Sequence, residues 1–98
     1  TVQRYLPVSR GRGQFAVIVP NGLKDAAILP GDIVLFTPDG PAADGEPVLA
    51  RCENQVVFRR YYQEPFGVRL QSDDEFVLPI YTAQATVLGR AKAIFRAL

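Results

Sequence analysis

The sequence predicts an all-β domain, a mostly antiparallel sandwich or barrel with at most one short helical turn near residues 22–28. Three observations carry this. Gly and Pro recur along the chain, at Gly11, Gly13, Pro20, Gly22, Pro30-Gly31, Gly40-Pro41, Gly45, Pro47, Pro65, Gly67, Pro79 and Gly89. Short apolar runs lie between them, and turn signals roughly every 8–12 residues around such runs mark a sandwich or barrel. The length, 98 residues, fits one domain and not two.

The elements follow in order. Residues 14–19 (Gln-Phe-Ala-Val-Ile-Val) form a strand closed by Pro20. Leu23, Ala26, Ala27 and Ile28 suit the helical turn. Residues 32–37 form a continuous apolar strand, buried on both faces. Ahead of it, Pro30-Gly31-Asp32 reads as a type II turn, with Gly at the position that needs a positive φ and Asp32 bonding back to backbone amides. Residues 38–46 are a Pro/Asp/Gly-rich turn region. Residues 47–52 and 55–62 are strands joined by a tight turn at Glu53-Asn54. Residues 67–71 and 75–80 form a second pair around Ser72-Asp73-Asp74. Residues 84–96 form a last long strand, bent at Gly89; Ala, Leu, Arg and Lys there also permit a helix.

Composition excludes several chemistries. The formal net charge is +1, which writes neither a nucleic-acid footprint nor an acidic tail. There is no His, so no Ser-His or Cys-His dyad and no imidazole metal ligand. One cysteine, Cys52, makes neither a disulfide framework nor a Cys-rich zinc site, and no cofactor is expected. No apolar run approaches the ~18–20 residues a membrane span needs. The Gly11-Arg12-Gly13 stretch precedes a strand, which is the wrong setting for a phosphate loop.

The charged runs read blandly. Alternation on a strand places Val56, Phe58, Arg60 and Tyr62 on one face and Val57, Arg59 and Tyr61 on the other, which splits the basic-aromatic run. Asp73-Asp74-Glu75 reads as a solvated turn, too compact for a Ca²⁺ loop. Arg90, Lys92 and Arg96 mark a solvated face, or an edge strand whose charges limit uncontrolled pairing. Any catalysis falls to Ser9, Ser72, the threonines, Cys52, the carboxylates and two lysines, Lys24 and Lys92, since only Lys could activate a hydroxyl.

Taken together, five segments resemble the C-terminal domains of LexA and the phage repressors, self-cleaving serine peptidases with a signal-peptidase-like fold. They are residues 21–35 (Asn-Gly-Leu-Lys-Asp-Ala-Ala-Ile-Leu-Pro-Gly-Asp-Ile-Val-Leu), 44–51 (Asp-Gly-Glu-Pro-Val-Leu-Ala-Arg), 56–61 (Val-Val-Phe-Arg-Arg-Tyr), 70–80 and 87–94 (Val-Leu-Gly-Arg-Ala-Lys-Ala-Ile). They come in the family's order, over roughly residues 15–98, and favour strand over helix at the end of the chain. The resemblance implies a nucleophilic Ser at the position of Gly22 and a neutral Lys at the position of Arg59. Gly has no nucleophile, and an Arg, with a pKa above ~12, does not deprotonate usefully. The family's cleavage site, a small residue followed by Gly, is not evident at Arg10-Gly11 or Arg12-Gly13.

The expectation is therefore a domain that is not an enzyme: a dimerising, regulatory part of a LexA- or phage-repressor-like transcription regulator, cytoplasmic and without a membrane partner. Asn21, Gly22, Leu23, Val57 and Arg59 are expected to line its cleft, with Arg59 near Gly22 and bonded to backbone carbonyls or a carboxylate. Arg90, Lys92, Ile94, Phe95 and Arg96 are expected at a two-fold interface. Residues 1–13 are expected to end an interdomain linker, and the start at Thr1 to mark a domain cut from a helix-turn-helix half that contacts DNA. Two alternatives stay open: a self-cleaving serine peptidase with relocated catalytic groups, and an unrelated small β-barrel interaction module.

Overall fold

The computed structural model describes residues 4–7 and 13–96. The chain forms one antiparallel sheet of eight strands: β1 (Arg4–Pro7), β2 (Phe15–Ile18), β3 (Ile33–Thr37), β4 (Pro47–Cys52), β5 (Gln55–Glu64), β6 (Gly67–Gln71), β7 (Ile80–Thr82) and β8 (Thr86–Phe95). Their order is β1-β2-β3-β8-β4-β5-β6-β7, so the last strand lies in the middle of the sheet. A single 3-10 turn, Lys24–Ala26, is the helical element among the described residues. The all-β expectation stands. No helix among the described residues is long and apolar enough to cross a membrane. Arg4–Pro7, inside the stretch read as linker, pair with Phe15–Ile18; Ser9, Arg10, Gly11 and Arg12 lie outside the described residues.

Strand alternation builds two cores on the two faces of a curled sheet. The first gathers Phe15, Val17, Val19, Leu23, Ile28, Val34, Phe36, Leu49 and Phe58. Within it Phe36 stacks on Phe15 at 5.5 Å between centroids and meets Phe58 edge-on at 5.6 Å, both favoured ring geometries. The second gathers Val48, Ala50, Cys52, Val68 and Leu70, with Val57, Tyr61 and Ile80 against it. Phe58 thus faces one core while its neighbour Val57 faces the other, as the alternation requires.

The turns follow their residue chemistry. Gly31 has φ +88°, and the Asp32 N–H donates to the Leu29 carbonyl at 3.1 Å, which closes the type II turn. Asp32 then accepts from the Leu29 N–H at 2.8 Å through its side chain. Glu53 and Asn54 both take positive φ, 50° and 67°, the primed turn that matches strand twist. Two strands depart from expectation. Ile33 and Leu35 are only half-buried, so β3 is not buried on both faces. Residues 75–80 are not a strand; the chain loops from Ser72 to Pro79 and pairs only at Ile80–Thr82. Side chains capture this backbone first: the Asp74 N–H donates to Ser72 Oγ and the Phe76 N–H to Asp74 Oδ1, and a backbone turn follows, with the Val77 N–H on the Asp74 carbonyl.

Candidate functional site: a cleft and an open strand edge

The two longest strands, β5 and β8 at 10 residues each, are longer than any partner can cover. Each changes partner midway. Gln55–Arg60 pair with β4, and Arg60–Glu64 pair with β6. Thr86–Arg90 pair with β4, and Arg90–Phe95 pair with β3. Both changes fall on an arginine. Where two neighbours part company, loop carbonyls lose their strand partners, and a long forked cation can reach them. Arg60 donates to Asp73 Oδ1 at 2.6 Å and to the Gly45 carbonyl at 2.8 Å. Arg90 donates to Glu46 Oε2 at 3.3 Å and to the Asp39 carbonyl at 2.5 Å. In β8 the switch is eased by register shifts that pass over Leu88 and Lys92, and by Gly89, where a Cβ would stand 2.8 Å from Phe36 Cβ.

The change of partner leaves the first half of β5 without a strand on its β6 side. In this strand Tyr61 exchanges backbone bonds with Gly45 and Glu46, so odd-numbered residues face β4 and even-numbered ones face away. The Phe58 carbonyl accordingly accepts from Asn21 Nδ2 at 3.1 Å. A cleft of about 400 Å³ runs along this half-edge, lined by Asn21, Gln55, Val57, Arg59, Ser72 and Val77 among others. Its roof is the Ser72–Pro79 loop. Arg59 Nη1 donates to the Leu78 carbonyl at 2.8 Å and to the Leu70 carbonyl at 3.4 Å. Asp73 fastens the same loop: both its oxygens accept from the Arg60 fork, and Oδ2 also accepts the Asp25 N–H at 3.0 Å. With its side chain only 5% exposed, Asp73 is not the solvated turn residue the sequence suggested. Burial pushes its carboxyl up, but the Arg60 guanidinium and the Asp25 amide outweigh that and hold it below its usual value.

Of the residues expected on the cleft, Asn21, Val57 and Arg59 line it together. Gly22 opens instead onto the adjoining hollow with Lys24, Leu29, Pro30 and Asp73. Leu23 does not reach the cleft; it is fully buried in the first core, where its backbone bridges to Ile28. That bridge presses the Ile28 carbonyl against Gly22, where a Cβ would come within 2.3 Å of the oxygen. Ser72 and Gln55 were not expected here. The loop that carries Ser72 has no periodicity to reveal its direction, and Gln55 is identified only by the missing strand beside it.

The second half of β8 presents the other half-edge. Among the described residues no strand covers Ala91–Phe95 on the side away from β3. Ile94 and Phe95 are 39% and 55% exposed, and Lys92 is exposed. The flanking arginines are engaged within the chain: Arg90 as above, Arg96 through Nη2 to Asp32 Oδ2 at 2.6 Å and to the Ala27 carbonyl at 2.8 Å. Hydrogen bonds from Arg96 and from the Leu29 amide hold the Asp32 carboxyl down at about 2. β8 is thus not an outer strand; only its last half is an edge.

A curled antiparallel sheet with a cleft beside a half-paired strand defines a class, and the comparisons with known proteins give it a family. Residues 4–92 match the family described as Peptidase S24-like, and the chain belongs to it. It is 35% identical over 74 residues to the LexA repressor of Desulfitobacterium hafniense, covering 76% of this chain and 36% of that protein. It is 31% identical over 88 residues to the LexA repressor of Desulforamulus reducens (88% and 41%) and 32% identical over 94 residues to that of Pelotomaculum thermopropionicum (93% and 46%). The chain therefore spans less than half the length of these relatives. The match corrects one expectation. Gly22 and Arg59 argued that this is not an enzyme, yet both lie inside the stretch that matches a peptidase family. The match over residues 4–92 carries that membership, and two side-chain positions within it do not cancel it.

Proposed function

We propose that this chain is the regulatory domain of a LexA-like transcription repressor, acting in the cytoplasm, that joins two copies through the last half of β8 and holds an extended peptide in the β5 cleft. The observation that carries the pairing is the uncovered edge Ala91–Phe95 with Ile94 and Phe95 exposed beside it. An antiparallel pair of such edges about a two-fold axis satisfies both backbones at once and buries both apolar pairs. Pairing two copies also makes the second DNA half-site contact intramolecular, which raises affinity without a new contact. The DNA contacts themselves belong to a helix-turn-helix domain upstream of this one. The first half of β5 supports the peptide reading in the same way, since an extended peptide can add to it as a strand.

Sedimentation equilibrium of the chain tests the pairing. The expected result is a dimer that Phe95→Glu weakens about 100-fold, because the change places a carboxylate in an apolar interface at a cost of about 3 kcal/mol. A monomer at all concentrations, or a dimer indifferent to Phe95→Glu, overturns it.

A second reading is peptide cleavage in the same cleft, favoured by the Ser72 hydroxyl among its lining residues. At alkaline pH solvent hydroxide can take the proton that an attacking hydroxyl must lose. Mass spectrometry of the full-length protein incubated at high pH then shows two fragments, and Ser72→Ala abolishes them. Fragments that persist in Ser72→Ala place the chemistry elsewhere.

A further inference from the structure

Arg59 is an unusual cation in this molecule. The ion pairs among the described residues engage Arg60, Arg69, Arg90 and Arg96, each with a carboxylate. Lys24, Arg51 and Lys92 are exposed and solvated. Arg59 is half-buried in the cleft wall and meets no carboxylate of the described residues. Its two hydrogen bonds both leave from Nη1 and both end on backbone carbonyls, which carry no charge. Nε and Nη2 remain, and together they form the flat side of the fork that matches a carboxylate. Burial pushes this guanidinium below its usual pKa, the sign of a cation removed from water without an acid to offset the loss.

The surroundings complete an anion site. Ser72, on the same cleft, adds a hydroxyl that can donate, while the Asn21 amide borders the site with its N–H groups already given to the Phe58 and Gly22 carbonyls. The acid nearest in sequence, Asp73, is neutralised by Arg60 and faces away onto the Asp25 amide. A half-buried cation without a partner costs stability, and a carboxylate brought to its fork would recover that cost.

We propose that the cleft at Arg59 and Ser72 recognises a carboxylate on its peptide, either an acidic side chain or a free C-terminus. The proposal rests on the reading of this cleft as a peptide site and adds the chemistry that the peptide must bring. A neutral peptide would gain the β5 backbone and leave Arg59 as it is; an acidic one gains both.

Heteronuclear NMR titration of the chain separates the two readings. The probes are sodium acetate and three N-acetylated tetrapeptides built on Val-Ala-Val. One ends in Ala with a free carboxylate, one in glutamate amide and one in glutamine amide. The free acid tests a C-terminus, the glutamate amide a side chain, and the glutamine amide the backbone alone. The expected result is that acetate shifts the Arg59 Nε resonance, and that at least one acidic peptide binds about 10-fold more tightly than the glutamine amide. Arg59→Gln removes that preference. Arg59→Lys keeps part of it, which separates lost recognition from lost folding, since both variants are checked by their spectra. Equal binding of acidic and neutral peptides overturns the carboxylate proposal and leaves the peptide site standing. Acetate shifts without binding of any peptide overturn the peptide site and support the carboxylate. No response to acetate or to any peptide overturns both.

Discussion

The free half-edges of β5 and β8 begin alike and end differently. Each belongs to a strand of 10 residues that changes partner at an arginine, Arg60 in one and Arg90 in the other. Around β5 the chain then builds walls. The Ser72–Pro79 loop is drawn over it by Arg59 and Asp73, and Asn21 reaches the Phe58 carbonyl. Around the last half of β8 no strand of the described residues builds such a wall, and Ile94 and Phe95 stay exposed. A walled edge admits one narrow segment and can add side-chain recognition to it. An open apolar edge suits a broad surface such as a second copy. In the function proposed above, the same backbone opportunity, a row of amides and carbonyls without a partner strand, would serve two kinds of partner, and the flanking side chains would choose between them.

Perturbing the cleft first should show that its walls fail separately from the β8 edge. Gly22→Ala puts a Cβ within 2.3 Å of the Ile28 carbonyl. The strand-like bridge beside it must shift, at about 2–3 kcal/mol of stability. Urea unfolding reads the loss, and the Asn21 side-chain amide resonance should move with it while the proposed pairing through β8 survives. The same strain meets a serine placed there, so Gly22→Ser is expected to distort the cleft rather than simply add a hydroxyl. Next, Arg60→Met strands Asp73 beneath the loop, with the pair 20% and 5% exposed. We expect about 2 kcal/mol, less than a fully buried pair would cost, and faster amide exchange across residues 72–79. Arg90→Met removes a pair 28% and 23% exposed, so about 1 kcal/mol or less is expected from the same unfolding measurement. If the two arginine variants cost the same, the contrast between the roofed and the open switch fails.

The mildest contrast appears only in acid. The Asp32 carboxyl is held near 2 against an ordinary 3.8, so its contribution is complete above about pH 4 and is lost as the pH falls through 2. Asp32 anchors Arg96 just past the end of β8. Thermal melts between pH 5 and 2 should fall more steeply for the native chain than for Asp32→Asn. Amides near Phe95 should lose protection over the same range. A native melting curve parallel to that of Asp32→Asn would remove Asp32 from this role.

Much of the fold is legible locally. Pro30-Gly31-Asp32 specifies its turn through the dihedral freedom of one glycine, and Glu53-Asn54 its hairpin through two positive φ angles. The split of β5 into two faces follows from a period of two. The 75–80 strand misleads because Ser72 and Asp74 compete for the backbone that pairing would need, and an apolar run does not reveal that competition. At the cleft, Asn21, Val57 and Arg59 are legible from family-ordered segments. Leu23 is misplaced by its nearness to Gly22, since one residue turns a chain from surface to core.

The amino-acid order alone settled that this is a sheet protein with no histidine chemistry, and that glycine and arginine occupy positions 22 and 59. These are properties of single residues and of short periods, which need no distant partner. The tertiary structure decided where β5 and β8 run out of neighbours, that Asp73 is buried against Arg60, and that Arg96 crosses 64 residues of sequence to reach Asp32. Strand coverage and charge pairing are set by which segments end up adjacent. Adjacency in a sheet ordered β3-β8-β4 is a fact of the whole chain and of no window within it.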